Sequence, residues 1–181
     1  LYGLCEKFSN MLNIPTKEVF EAYHKQWKPW KLGILSMGKV YENFLHDLKS
    51  DYPKEKLIKI TLAYAKLNKN IVDLIKKLKN DYKIACLTNH TKEWFGNDLK
   101  RFQLDKLFDK IFASYKLKID KPHLEVYRIV LREIRVKPEE CVFIDDLKWN
   151  VDAAKRIGIH SIHFKSYSQL KKELRNIGIR T

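Results

Sequence analysis

The pattern of hydrophobic and polar positions changes once along this chain, near Asn80. Before that point, apolar residues recur at helical spacing, and prolines and glycines divide the stretch into lengths typical of single helices. We expect four or five helices between Leu1 and Asn80. Thr16 and Asn70 precede two of the periodic segments and are predicted to be helix N-caps.

After Asn80, short apolar runs alternate with amphipathic segments, a pattern typical of βαβ units and a parallel sheet. The predicted strands are Tyr82 to Leu87, Lys110 to Ala113, Cys141 to Ile144 and Ser161 to His163. The predicted helices are Lys92 to Phe102, His123 to Ile134, Asn150 to Ile157 and Tyr167 to Ile177. The pattern therefore predicts a helical domain over residues 1–80 and an α/β core over residues 81–181.

The composition narrows the class of protein. The 181 residues suffice for one core domain with a modest insertion. No run approaches the roughly 20 apolar residues of a membrane span. The net charge of +14 invites a nucleic-acid interpretation, but the lysines are spread along nearly every helix, so we favour a solvated basic surface. The three cysteines form no CxxC pair, which indicates a reduced, cytoplasmic protein with structural thiols.

Polar side chains at three places along the α/β half are candidates for chemistry, because functional groups gather beyond the carboxyl ends of parallel strands. Thr88 and Asn89 follow the first predicted strand, Lys121 precedes a helix, and Asp145 and Asp146 end the third strand. Two adjacent carboxylates at a buried strand end are costly unless a cation such as Mg²⁺ lies between them. The pair alone is equally compatible with an exposed acidic turn in which Asp146 caps the next helix.

In order and spacing, the segments LTN, KIDKPHLEVY and PEECVFIDDLKWNVDAAK resemble the second, third and fourth motifs of the haloacid dehalogenase superfamily. The resemblance implies a Rossmann-like core with an α-helical cap. It also implies that Thr88 binds the phosphoryl oxygens, with Asn89 beside it in the substrate site. Lys121 would stabilise the developing charge, and Asp145 and Asp146 would hold Mg²⁺. The acid pair favours a metal-dependent phosphatase over a 2-haloacid dehalogenase.

The first motif of that superfamily, a strand ending in Asp-x-Asp that supplies the nucleophile, has no match in this sequence. The first aspartate is Asp47, and the stretch before Asn80 resembles the cap that many members insert after the first motif. We therefore expect the central first strand of the sheet, and the nucleophile, to lie N-terminal to this chain. On this view the chain alone is inactive. The alternative is a non-catalytic binding or scaffold protein with the same fold.

Three further residues receive a more modest interpretation. His90, beside the candidate site, is predicted to be a surface turn residue more readily than a substrate contact. Trp27 and Trp30 are predicted to pack between helices. The expected partner is a small phosphorylated metabolite. The sequence pattern does not indicate an oligomeric state.

Overall fold

The computed structural model describes residues 2–181 as α-helices, one short 3-10 helix and four short strands. The helices of the first half are α1 (Tyr2–Leu12), α2 (Thr16–Lys31), α3 (Met37–Asp47), α4 (Lys54–Tyr64) and α5 (Lys69–Leu78). The helices of the second half are α6 (Lys92–Phe102), α7 (Leu104–Leu107), α8 (Ser114–Leu117), α9 (Leu124–Ile134), α10 (Lys148–Lys155) and α11 (Tyr167–Asn176), with the 3-10 helix at Pro138–Glu140. The strands are β1 (Ala85–Thr88), β2 (Lys110–Ala113), β3 (Val142–Asp145) and β4 (His160–His163).

The chain divides into two compact units. The helical unit contains residues 2–66, Asn89–Gln103 and Ser114–Lys118, and the sheet unit contains Leu67–Thr88, Leu104–Ala113 and Ile119–Thr181. These units differ from the predicted boundary at residue 80, because α5 belongs to the sheet unit and α6 to the helical unit. The amphipathic face of α5 explains its placement, since Leu74 and Leu78 pack with residues of β4 and α11.

Aromatic side chains form the core of the helical unit. Phe8, Tyr23, Tyr41 and Phe44 are buried, and their ring centroids lie about 6 Å apart in tilted and edge-on pairs. Trp30 is 1% exposed and lies edge-on to Tyr23. The expectation that the tryptophans of α2 pack between helices matches this geometry.

Both predicted N-caps are wrong. Thr16 is the first residue of α2, and the cap position is occupied by Pro15. The Thr16 hydroxyl donates instead to the Ser9 hydroxyl at 3.0 Å. In α5 the cap is Asn68, whose side chain accepts from the Ile71 amide, so Asn70 lies inside the helix. The prediction of four or five helices before residue 80 is confirmed, because the described residues form five.

The strands form two separate parallel pairs. β1 pairs with β2 in the register Ala85 to Lys110, and β3 pairs with β4 in the register Val142 to His160. The predicted first strand begins three residues too early, because the backbone at Tyr82 still turns at the end of α5, with its amide donating to the Leu78 carbonyl. The predicted α/β class and the parallel direction of the strands are confirmed.

A wide cavity of about 1810 Å³ lies within the sheet unit, and both β1 and β3 line it. Within residues 2–181 each of these two strands has a single hydrogen-bonded neighbour. Ala85 on β1 and Ile144 on β3 are exposed, although parallel strands normally bury both faces. β1 and β3 therefore both border an apolar gap in the sheet unit. In the described part of the chain, no helix is both long and apolar enough to cross a membrane.

Candidate active site

Lys121 connects the ends of two strands in the sheet unit. Its ammonium group donates to the Leu87 carbonyl of β1 and to Oδ2 of Asp145 at the end of β3, at 2.7 Å in each case. The residue is 9% exposed, and its Nζ lies 5.5 Å from the ring centroid of Phe143. A buried ammonium with a carboxylate partner and an aromatic face is held in one place.

Asp145 is buried, and both of its carboxylate oxygens accept hydrogen bonds. While Oδ2 accepts from Lys121, Oδ1 accepts from the Leu147 amide and from Nδ2 of Asn150, both at 2.9 Å. A charged group in the interior is tolerated when it is paired and hydrogen-bonded in this way. Asp145 therefore needs no metal cation to offset its burial, contrary to the expectation for two buried carboxylates. The lysine already compensates the buried acid.

Asp146 is the exposed member of the acid pair. Its backbone carbonyl lies 3.0 Å from Nε2 of His163. The alternative in which Asp146 caps the next helix is wrong, because the N-cap of α10 is Leu147. The two adjacent acids thus have different surroundings: Asp145 is held in an internal ion pair, and Asp146 presents its side chain to solvent.

Thr88 ends β1, one residue after the carbonyl that binds Lys121. The ends of β1 and β3, which carry Thr88 and Asp145, therefore meet at Lys121, which lies in the segment before α9. Asn89 follows directly in the chain but belongs to the helical unit, where it is half-buried. The structure thus brings three of the predicted residues together through Lys121 and assigns Asn89 to the other unit.

Comparison with known proteins identifies the family of this chain. The sequence matches the haloacid dehalogenase-like hydrolase family over residues 5–164. The chain belongs to this family. It is 27% identical over 168 residues to flavin mononucleotide hydrolase 1 of Arabidopsis thaliana, covering 92% of this chain and 68% of the relative. It is 30% identical over 105 residues to glyceraldehyde 3-phosphate phosphatase of Pyrococcus furiosus, covering 55% of this chain and 43% of that protein.

The fold is shared with a solved haloacid dehalogenase family enzyme from Bacteroides thetaiotaomicron in a magnesium complex. The TM-score is 0.80 at 19% identity, over 92% of this chain and 88% of that one. At this identity the likeness establishes the fold. The chain spans less than half the length of several curated relatives.

Carboxylate oxygens are the type of protein atom that Mg²⁺ prefers. That ion commonly takes one or two protein carboxylates and completes its octahedron with water and substrate phosphate. The exposed carboxylate of Asp146 and the neighbouring Asp145 offer oxygen atoms of this kind. Within residues 2–181, no three His, Cys, Asp or Glu side chains are grouped closely enough to hold a metal ion.

His90 does not lie on a surface turn, which corrects the sequence-based expectation. Its side chain is 21% exposed, and its ring packs edge-on against Trp94 and beside Phe95. Nδ1 accepts from the Thr91 amide at 2.9 Å, which leaves the proton of the neutral ring on Nε2. Burial lowers the pKa of His90 to about 4, so the ring is neutral at physiological pH.

The cysteine thiols have the properties predicted for structural residues. Burial raises the pKa of Cys86 to about 11, although the Lys121 charge opposes that shift. Burial likewise raises the pKa of Cys5 to about 11 and also raises that of Cys141. These thiols are therefore protonated near neutral pH, and a protonated thiol is a poor nucleophile.

Two residues that support the site were missed by sequence reasoning. Tyr127 on α9 is 1% exposed, and its hydroxyl donates to the Asn150 carbonyl at 2.9 Å. Phe143 on β3 lies between Tyr127 and Lys121 and contacts both. In the sequence both positions belong to apolar periodic patterns, which are typical of core residues. The single available signal was the tyrosine hydroxyl on a buried helix face, which requires a partner.

Proposed function

We propose that this chain forms the greater part of a Mg²⁺-dependent phosphatase that acts on small phosphate monoesters. The observation that carries the proposal is the Lys121 ammonium group, which is held between the Leu87 carbonyl of β1 and the Asp145 carboxylate. Thr88 follows Leu87 in the chain, and Asp146 follows Asp145. A fixed cation at converging strand ends suits the charge of a transferring phosphoryl group. Two relatives named for hydrolysis of flavin mononucleotide and glyceraldehyde 3-phosphate support this class of substrate.

The proposed nucleophile is an aspartate N-terminal to Leu1, at the end of a strand that fills the gap between β1 and β3. The exposed Ile144 and Ala85 and the cavity of about 1810 Å³ support this position. A parallel strand there would supply hydrogen-bond partners to both neighbouring strands. Its carboxyl end would lie at the same edge of the sheet as Thr88 and Asp145.

In the proposed reaction, a carboxylate oxygen of that aspartate attacks phosphorus as the bond to the leaving oxygen breaks. Water then attacks the phosphorus of the aspartyl phosphate and releases inorganic phosphate. The Thr88 hydroxyl donates to a phosphoryl oxygen, and the Lys121 ammonium stabilises the negative charge shared by nucleophile and phosphoryl group. Asn89 contacts the substrate beside Thr88. The helical unit acts as a cap that selects the substrate.

For the metal, we propose Asp146 and Asp145 as the carboxylates of this chain, with Asp146 the more accessible. Bound Mg²⁺ would neutralise charge on the phosphoryl oxygens. Because Oδ2 of Asp145 already accepts from Lys121, Asp145 also fixes the lysine that faces the phosphoryl group. In this proposal Asp146 offers carboxylate oxygens to the metal from the solvent side, and Asp145 holds Lys121 in place from the interior.

The test uses protein that carries the proposed N-terminal strand, assayed with an aryl phosphate and Mg²⁺. We expect Lys121→Ala to lower kcat by about 100-fold or more, the scale for losing one preorganised charge donor. The matched control is Lys165→Ala, an exposed lysine between β4 and α11, which should leave turnover unchanged. Chelation should abolish activity, and added Mg²⁺ should restore it.

Absence of phosphatase activity would favour the non-catalytic alternative. If protein of verified mass that includes the strand hydrolyses no phosphate ester, the fold serves binding or scaffolding. Turnover of a 2-haloacid without metal would instead support the dehalogenase alternative. Affinity for nucleic acid that falls steeply with salt would revive the interpretation of the +14 charge that we set aside.

A further inference from the structure

The hydroxyl of Tyr127 makes an unusual connection within the sheet unit. It belongs to α9 and donates at 2.9 Å to the backbone carbonyl of Asn150, in the first turn of α10. A phenol that is 1% exposed must satisfy its hydroxyl internally, and here it does so on the next helix. The bond fixes the distance between α9 and the beginning of α10.

Asn150 connects Tyr127 to the Lys121–Asp145 ion pair. It is 2% exposed, and its Nδ2 donates to Oδ1 of Asp145 at 2.9 Å. Oδ2 of the same carboxylate accepts from Lys121. Three consecutive hydrogen bonds, each no longer than 2.9 Å, therefore connect Tyr127 to the Lys121 ammonium.

A second connection runs through aromatic contacts. The Tyr127 ring meets the Phe143 ring edge-on, with centroids 5.3 Å apart and an interplanar angle of 90°. The Lys121 Nζ lies 5.5 Å from the Phe143 centroid, within the range of a cation–π contact. Both routes start at Tyr127 and end at the same ammonium group.

Tyr127 keeps its proton throughout the working range of pH. Burial raises the pKa of its hydroxyl well above the usual value, and the Asp145 carboxylate raises it further. The phenol is therefore a constant donor, suited to holding a neighbour in place rather than to exchanging protons.

We propose that Tyr127 is a positioning residue, which holds Lys121 and Asp145 in register through Asn150 and Phe143. The catalytic consequence rests on the function proposed above. Small displacements of a charged group around a transferring phosphoryl group reduce the rate strongly. Because Tyr127 acts through other residues, its loss should lower kcat and leave KM nearly unchanged.

The first measurement is independent of activity. In ¹⁵N-labelled chain, Tyr127→Phe keeps the ring and removes only the hydroxyl. We expect the Asn150 side-chain amide and Lys121 ammonium signals to shift and their protons to exchange faster, while the remaining spectrum is preserved. The control is Tyr167→Phe, a half-buried tyrosine on α11 that packs on the Leu170 cluster, which should move neither signal.

A second variant separates the two routes. Phe143→Leu keeps the Tyr127 hydroxyl, so the Asn150 amide should stay protected while the Lys121 signal moves. In an active protein, Tyr127→Phe should lower kcat about tenfold with KM changed less than twofold. Unchanged Asn150 and Lys121 signals in Tyr127→Phe would overturn the proposal. Inactivity of the unsubstituted protein would instead count against the proposed function, and the spectra would still decide the role of Tyr127.

Discussion

At the scale of single residues, the Lys121–Asp145 pair determines how the site is held together. Both side chains are at least nine-tenths buried, and Nζ and Oδ2 lie 2.7 Å apart. Such a pair is costly to desolvate, and its net contribution to stability is small. Removing one partner alone is far more damaging, because it leaves a buried charge without compensation.

This asymmetry gives a stability prediction for the pair. Lys121→Met should lower the free energy of unfolding by about 3 kcal/mol, because Asp145 is left charged and unpaired. Adding Asp145→Asn to that variant should recover most of the loss. Urea unfolding of both single variants and the double variant measures the coupling. Additive losses would show that the ion pair is not coupled in solution.

His90 gives a pH prediction at the same scale. Its pKa in the folded chain is about 4, lowered by burial from 6.5, so the unfolded chain binds the proton more readily. The stability contributed by the neutral ring is complete above pH 6.5 and is lost as the pH falls toward 4, by about 3 kcal/mol at most. His90→Gln should flatten this part of the stability curve.

The control for His90 is His123→Gln, whose side chain is 65% exposed. That variant should retain the pH dependence of the unsubstituted chain. Asp98 lies beside His90, and its pKa is raised by burial, which shifts stability in the opposite direction at low pH. The difference between unsubstituted chain and His90→Gln isolates the histidine. Equal slopes in both proteins would contradict its burial.

At the scale of elements, the helices were easier to predict than their ends. α6 has the predicted bounds Lys92–Phe102, and β2 the predicted bounds Lys110–Ala113. The start of α5 was placed too late, since the sequence offers asparagines at both 68 and 70. Asparagine suits a cap at either position, and only the backbone conformation at Asn68 decides between the two.

The two asparagines allow a matched test. Asn68→Ala should lower the free energy of unfolding by about 1 kcal/mol, because the Ile71 amide loses its acceptor. Asn70→Ala should be neutral or slightly stabilising, because alanine is the better residue inside a helix. Thermal unfolding of the two variants under the same conditions provides the comparison. A larger loss from Asn70→Ala would restore the original cap prediction.

At the scale of the whole molecule, the main feature is the division of the strands into two parallel pairs with an apolar cavity in the sheet unit. Cys86 and Cys141 both line this cavity, whereas Cys5 is buried in the core of the helical unit. The thiols therefore report on whether the cavity is filled, and Cys5 serves as an internal reference.

We expect Cys86 and Cys141 to react with a maleimide about tenfold faster in the 181-residue chain than in protein that carries the proposed strand. The strand would cover both thiols, whereas Cys5 should react at the same slow rate in the two proteins. Peptide mass spectrometry after timed labelling measures each rate. Equal labelling of Cys86 in the two proteins would mean that the strand lies elsewhere.

The sequence by itself determined the α/β class, the alternation of strands and helices after residue 80, and the carboxyl ends of β1 and β3 to within one residue. These properties follow from side-chain periodicity and motif spacing, which are local in the chain. The pairing of Asp145 with Lys121, the burial of His90, the association of α5 with the sheet unit and the hydrogen bond from Tyr127 to Asn150 were decided only by tertiary structure. Each depends on a contact between residues far apart in sequence or on burial in a packed unit, and a periodic pattern records only which face is apolar. The acid pair shows the difference most clearly, since two identical neighbouring residues acquired opposite surroundings from the contacts around them.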